Sequence, residues 1–131
     1  MILLSIDGRA LSELVIETYT STYQLLDGEA TDRTRAPGWS LIREPQGVIC
    51  NFAVEIWKPS TESADFIYFM EKYYSLGSQE FVRVIHRDML GRVWNQLMYY
   101  VVDGVSAKRF EEKYVVSKNV NARFIAKEGL V

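Results

Sequence analysis

The sequence predicts a mainly β protein with one helix: an α+β domain in which an antiparallel β-sandwich or partly closed barrel is flanked by a single helix near residues 61–76. Three observations predict it. Ser60 to Gly77, STESADFIYFMEKYYSLG, is the only stretch with a sustained helical period. Nearly every other apolar run is rich in β-branched and aromatic residues. The order is strands, helix, strands, with hairpin-length connections, which favours antiparallel pairing.

Taken in order, ILLSI reads as a short strand and Asp7-Gly8 as a turn. Leu14 to Leu26 has neither Gly nor Pro and reads as one long strand. Its second half puts Thr18, Thr20 and Thr22 on one face and Tyr19, Ser21 and Tyr23 on the other. That half is too polar for burial on both sides. Two readings stay open: a solvated outer face, or a segment that leaves its own core to line a channel or pair with a neighbour. Asp27 to Gly38 is the one long polar connection, carrying Arg33 and Arg35. It is either plain surface or an arm that orders on a partner. Trp39 at its root needs something to pack on. Thr18, Thr20, Thr22, Tyr23, Arg33, Arg35 and Trp39 are therefore the candidate subunit-interface residues.

Trp39–Glu44 and Val48–Lys58 read as a hairpin around Pro45-Gln46-Gly47. In the second strand Val48, Cys50, Phe52, Val54 and Ile56 share a face, with Asn51 and Glu55 opposite. In the helix, Phe66, Ile67, Phe69, Met70, Tyr73 and Tyr74 form the apolar arc, with Asp65, Tyr68, Glu71, Lys72 and Ser75 opposite. Ser60 or Thr61 is the expected cap and Gly77 the expected left-handed stop. Glu80–Arg87 and Arg92–Val102 read as a hairpin around Asp88-Met-Leu-Gly91, and Asp103-Gly104 ends it. Lys113 to Ala126 reads as one closing strand, with Tyr114, Val116, Val120, Ala122 and Phe124 inward.

The 131 residues are 48% hydrophobic and 13% aromatic, enough for one domain with a real core and far too apolar for disorder. A net charge of −2 does not indicate a general nucleic-acid binder. Cys50, the single cysteine, excludes an internal disulfide and reads as a buried thiol, which favours an intracellular site of folding. MILLSI is too short for a signal peptide or membrane span. Charge is uneven along the chain. Acid dominates residues 1–30, where Arg9 faces Asp7, Glu13, Glu17, Asp27 and Glu29. Base dominates residues 106–131, with Lys108, Arg109, Lys113, Lys118, Arg123 and Lys127 against Glu111, Glu112 and Glu128. Either the ends neutralise each other within one subunit, or they form complementary faces of a head-to-tail assembly.

No catalytic constellation stands out. His86-Arg87-Asp88 matches the kinase catalytic loop in three letters, but no Gly-rich loop, partner Lys or Asp-Phe-Gly accompanies it. His86 and Asp88 supply too few ligands for a metal site, and no second His exists. Glu62 and Asp65 complement the helix dipole. Asp27-Gly28-Glu29 lacks calcium-loop spacing. The sequence is expected to be no enzyme and to need no cofactor or metal.

The succession of features resembles the small tail proteins of siphophages and prophages of Gram-positive bacteria, within the broader tail-tube, distal-tail and baseplate-hub group. Ile6-Asp7-Gly8 is similar to their opening I-x-G. A strand then leads to a loop bearing Arg33, Arg35 and Gly38. VICNFAVEIWKPSTESADFIYFM resembles their strand ending in Trp followed by the helix. FVRVIHRDMLGRVWNQLMYYVVDG resembles their hairpin, and RFEEKYVVSKNVNARFIAKEG their closing strand. His86-Arg87-Asp88 stands where the family's turn has Tyr-Asp-Pro. The resemblance covers nearly all of residues 1–131 as a single domain with an arm at 27–38. It implies a virion tail subunit, made in the host cytoplasm, that assembles head-to-tail into a ring, usually a hexamer. Its partners would be copies of itself and other tail proteins, with DNA passing through the lumen without specific binding, no membrane and no cofactor. The other function class in view is a small β-rich binding domain, monomeric or dimeric, presenting Trp39, Trp94 and Tyr99. A third is an enzyme using His86.

Overall fold

A computed structural model describes residues 4–27, 32–33, 41–42, 45–103 and 105–128. At Asp27, Asp32, Arg33, Leu41, Ile42, Pro45, Gln46 and Phe110 it describes the backbone alone. Asp7 and Gly8 both take positive φ, 48° and 87°. A two-residue turn with the twist of a hairpin needs two such residues, and Asp-Gly supplies them. β1 (Leu4–Ile6) thereby folds back on β2 (Arg9–Ala10), with Ile6 opposite Arg9. β3 (Ile16–Asp27) is the expected long strand, 12 residues without a break. β4 (Asp32–Arg33) and β5 (Leu41–Ile42) pair with each other.

β6 (Pro45–Ile56) pairs with β3, while β5, the described part of the expected partner strand, pairs with β4. The expected hairpin turn at Pro45-Gln46-Gly47 is instead part of this strand. Gly47, at φ 99°, sits at a register shift where Leu26 faces Gly47 and Asp27 faces Pro45. The turn-forming residues make a bulge, because a left-handed glycine serves either purpose.

α1 (Ala64–Ser75) is the single helix, mainly within the expected span. Its cap is Ser63, whose side chain accepts from the Phe66 amide, rather than Ser60 or Thr61. Thr61 spends its hydroxyl on the Tyr114 carbonyl, 2.8 Å away. Gly77 does not take the left-handed conformation. The helix unwinds through tighter turns, with the amides of Gly77 and Ser78 donating to Tyr74 and Ser75 carbonyls at 3.0 Å each.

β7 (Val82–Arg87) and β8 (Val93–Asp103) form the expected hairpin. The expected closing strand is two strands. β10 (Lys113–Val116) pairs with β9 (Ala107–Phe110), and β11 (Val120–Ala126) enters the main sheet between β6 and β8. The chain breaks at Ser117–Asn119 because Asn119 is used as a clasp. Its side chain accepts from the Lys58 amide and donates to Glu55 and Glu17, at 3.1, 2.6 and 3.0 Å. Tyr114 is consequently exposed, while Val116, Val120, Ala122 and Phe124 are buried as expected.

Seven strands make one antiparallel sheet in the order β2-β1-β7-β8-β11-β6-β3, curled but not closed into a barrel. The curl brings β3 over β7, where the Tyr19 hydroxyl stands 3.1 Å from Nδ1 of His86. Tyr19, Phe52, Phe124 and Tyr100 stack from strand to strand at 5.1, 4.4 and 4.7 Å, and Phe69 of α1 continues the run at 4.9 Å. The Tyr100 hydroxyl donates to the Phe69 carbonyl at 2.5 Å and sets the height of the helix over the sheet.

The helix is rolled relative to the expected arc. Phe66 and Phe69 are buried, whereas Ile67 and Tyr74 are exposed, Tyr74 at 71%. Asp65, expected outside, is 3% exposed. Polar partners explain the roll. Asp65 accepts from Arg9 Nε at 3.0 Å and from the Glu13 amide at 2.8 Å. Tyr68 donates to the Ile6 carbonyl at 2.9 Å, with Arg9 and Lys72 over its ring. Lys72 reaches Asp7 at 2.7 Å. Those bonds tie the flank holding Asp65, Tyr68 and Lys72 to the β1–β2 turn, and the opposite flank swings out.

Candidate functional site

Two surfaces stand out among the described residues, and both are held by one buried network. The first is β3. It is a terminal strand of the sheet, so one side of its backbone has no ladder partner among the described residues. Register shifts interrupt the pairing only at Ile16/Thr18 and Leu26/Asp27. Between them runs Thr18–Leu26, with no charge, Pro or Gly to blunt the edge. Thr18, Thr20 and Thr22 are exposed and face the same way as Glu55, Ala53 and Asn51. Their neighbourhood is a shallow depression of about 130 Å³ that also takes in Arg123.

Tyr23 points to the other face. Its hydroxyl accepts the Met89 amide at 2.8 Å, so it has a partner within the subunit. Arg33 lies in β4, where the backbone alone is described, and Arg35 and Trp39 lie outside the described residues, as does most of the 27–38 connection.

The second surface is the β7–β8 turn. Asp88 organises it. Its carboxylate accepts the amides of Leu90 and Arg92 at 2.9 Å each and the indole N–H of Trp94 at 2.8 Å. Those bonds, led by the one from Trp94, hold its pKa below the ordinary carboxylate value. Gly91 takes φ 77° and its amide donates to the Asp88 carbonyl at 3.0 Å. This is a three-residue hairpin loop with a left-handed third residue. The result is a rigid turn whose middle residues, Met89 and Leu90, stand 76% and 66% exposed.

Beneath both surfaces lies His86, fully buried in the core. Its Nδ1 is 3.1 Å from the Tyr19 hydroxyl, which donates to the Arg87 carbonyl at 2.9 Å. That hydroxyl has one proton, so its oxygen accepts from Nδ1–H. A neutral ring then needs a donor at Nε2. Gln96 brings its Oε1 to 2.7 Å, while its own Nε2 is the one buried side-chain polar atom without a partner among the described residues. The two ends of a carboxamide have the same shape. Turning it supplies Nε2 with a donor and leaves an acceptor bare instead, the commoner condition in proteins. Burial pushes the His86 pKa below its ordinary value, against the bonds to Gln96 and Arg87 and the Asp88 charge. A buried neutral imidazole bonded on both sides is a structural pin. With Tyr23, it fastens the edge strand β3 across the open sheet to the β7–β8 hairpin.

Cys50 is buried, and burial pushes its thiol up to about 11, so it is no thiolate nucleophile near neutral pH. No group of three or more His, Cys, Asp or Glu that could hold a metal stands together among the described residues. No helix among them is long and apolar enough to cross a membrane.

The ion pairs join neighbours rather than the two oppositely charged ends. Asp7 pairs with Lys72, Asp65 with Arg9, Glu62 with Lys113 and Asp103 with Arg123. None links residues 1–30 to 106–131 among the described residues. The nearest link is the Asn119–Glu17 bond. Sequence reasoning missed the exposed Met89-Leu90 pair, although its signal is plain: two apolar residues occupy the centre of a turn, where polar residues usually sit. It also missed the Tyr19–His86 pin, whose members are 67 residues apart. Compared with known protein families, curated proteins and solved structures, the chain finds no match.

Proposed function

We propose that this protein is a structural, non-enzymatic subunit of a phage or prophage tail, assembling with copies of itself into a ring around the DNA channel. One observation carries the reading: among the described residues, β3 offers an unguarded strand edge from Thr18 to Leu26. Soluble proteins blunt such edges with Lys, Pro, bulges or short strands, because an open edge is a template for another chain. Here the pinning of β3 by Tyr19 and Tyr23 keeps the edge in place, so little ordering remains to be done on pairing. Acidic residues near the start and basic ones near the end, which form no ion pair with each other among the described residues, suit heterologous contacts, which close into a ring only at a fixed rotation. A net charge of −2 suits a lumen through which DNA slides, since phosphate contacts are what hold DNA. The order of strand, arm, strand, helix and hairpin along the chain is what the tail-protein resemblance supplies.

The binding-domain alternative has less support. Trp94 spends its indole N–H on Asp88 and is only half-exposed. The test is the mass in solution by light scattering, with electron microscopy of the peak. Rings of about six subunits are expected. Thr20→Lys with Thr22→Lys places charge along the edge and should abolish the rings. Its thermal unfolding should stay close to that of the unassembled chain, since both sites are exposed surface. A wild-type protein that remains monomeric at high concentration would exclude the ring.

A further inference from the structure

The β7–β8 turn is built to present Met89 and Leu90. Three acceptor bonds to Asp88, the Tyr23 bond to the Met89 amide and the left-handed Gly91 fix its backbone. A turn so thoroughly bonded that holds two large apolar side chains in water is a preformed knob. Exposed apolar surface on an ordered framework marks an interaction site more often than a defect. Methionine adds a side chain that adapts to irregular partners.

A matching groove lies on the outswung flank of α1. It holds about 320 Å³ between the helix and the start of the β9–β10 hairpin, and Ile67, Met70, Tyr74, Val105 and Val116 line it. Ile67 and Tyr74 are exposed there because the helix rolled toward the β1–β2 turn. Within one chain the knob cannot reach this groove. β8 starts beside the knob at Val93 and runs 11 residues to Asp103, shortly before Val105. At about 3.3 Å per residue it separates the two by roughly 35 Å.

We propose that the Met89-Leu90 turn of one copy seats in the α1 groove of a second copy, joining subunits end to end. Knob and groove occupy opposite ends of one molecule, so the contact is heterologous and a joined pair keeps one free knob and one free groove. Charge agrees with that docking. Arg92 is exposed beside the knob, and Glu71 is exposed on the wall of the groove. The contact runs along the strands, whereas pairing at the β3 edge runs across them. It therefore adds a second axis of assembly and does not depend on the ring.

The test is site-directed cross-linking between two variants of the full chain, Leu90→Cys and Ile67→Cys, with a short bismaleimide. Cys50 is buried and stays unlabelled. The mixture should give a dimer linked between position 90 of one chain and position 67 of the other, on the order of tenfold above the like-with-like products. Links of 90 to 90 or 67 to 67 in excess, or no link at concentrations where the protein assembles, would overturn the proposal. A second variant, Met89→Arg with Leu90→Arg, should remove end-to-end stacks while leaving single rings and thermal unfolding unchanged. Stacks of undiminished length in that variant would also overturn it. Rings that persist in the edge variant Thr20→Lys with Thr22→Lys would instead count against the β3 reading alone.

Discussion

At the residue scale, Asp88 and His86 show how two side chains of one short motif serve opposite ends of a structural device. Asp88 lies at the surface and spends its charge on amides of its own turn. Asp88→Ala should leave the strands folded but raise amide exchange at Leu90 and Arg92 by at least about tenfold, as expected when a turn opens locally. Asp88→Asn keeps an oxygen for the two amides but turns an N–H toward Trp94, so only the indole bond should be lost. Two-dimensional NMR of the indole and of those amides separates the outcomes. His86 is held neutral in the core, with its pKa below the ordinary value of 6.5. The unfolded chain takes up a proton near that value and the folded chain does not. Stability should thus be level above about pH 7 and decline as pH falls through about 6.5. It should level out again once the folded ring protonates. Urea midpoints from pH 8 to 5 measure this, and His86→Phe, in the only histidine of the chain, should flatten the profile. A flat wild-type profile would mean that the ring is not kept neutral.

At the scale of elements, the helix and the edge strand are each positioned by a few polar bonds acting on an apolar interface. Phe69 is wholly buried between Phe66 and Tyr100. Phe69→Ala should cost about 3–5 kcal/mol in chemical denaturation. Ile67→Ser, on the flank that swings out, should change stability by no more than about 0.5 kcal/mol in the unassembled chain. Equal losses would mean that the helix lies on the other flank. The edge strand depends on its pin. Tyr19→Phe removes a hydroxyl and leaves Nδ1 of His86 without its partner in a dry site, a loss of about 1–3 kcal/mol. Because β3 then hangs on β6 alone beyond Tyr23, its amides should exchange before those of β8 and β11, which are paired on both sides.

At the scale of the whole molecule, one open sheet and one helix leave three sides with different fates. The inner face is consumed by the aromatic run from Tyr19 to Phe69. The β3 edge remains free along its length among the described residues. The two ends of the sheet carry a knob and a groove. Assembly across the edge and along the strands should therefore be separable, and light scattering of the edge and knob variants should show two independent losses. A single concerted loss in both variants would mean that one contact serves both.

The sequence by itself determined the mainly β class, the one helix, the long Leu14–Leu26 strand, the β7–β8 hairpin and the inward set Cys50, Phe52, Val54 and Ile56. Each follows from a local period or from turn chemistry, which a chain carries at every point along it. Only the tertiary structure decided which strands pair. Pro45-Gln46-Gly47 suits a turn and a bulge equally, and β3 rather than Leu41–Ile42 supplied a partner for β6. Only the tertiary structure rolled the helix, since Arg9 and the Glu13 amide reach Asp65 from more than fifty positions away. Asn119 split the closing strand for the same reason, by bonding Glu17 and Glu55. A hydrogen bond that buries a charge competes with the hydrophobic period and is invisible to it, because its two ends meet only after the sheet has formed.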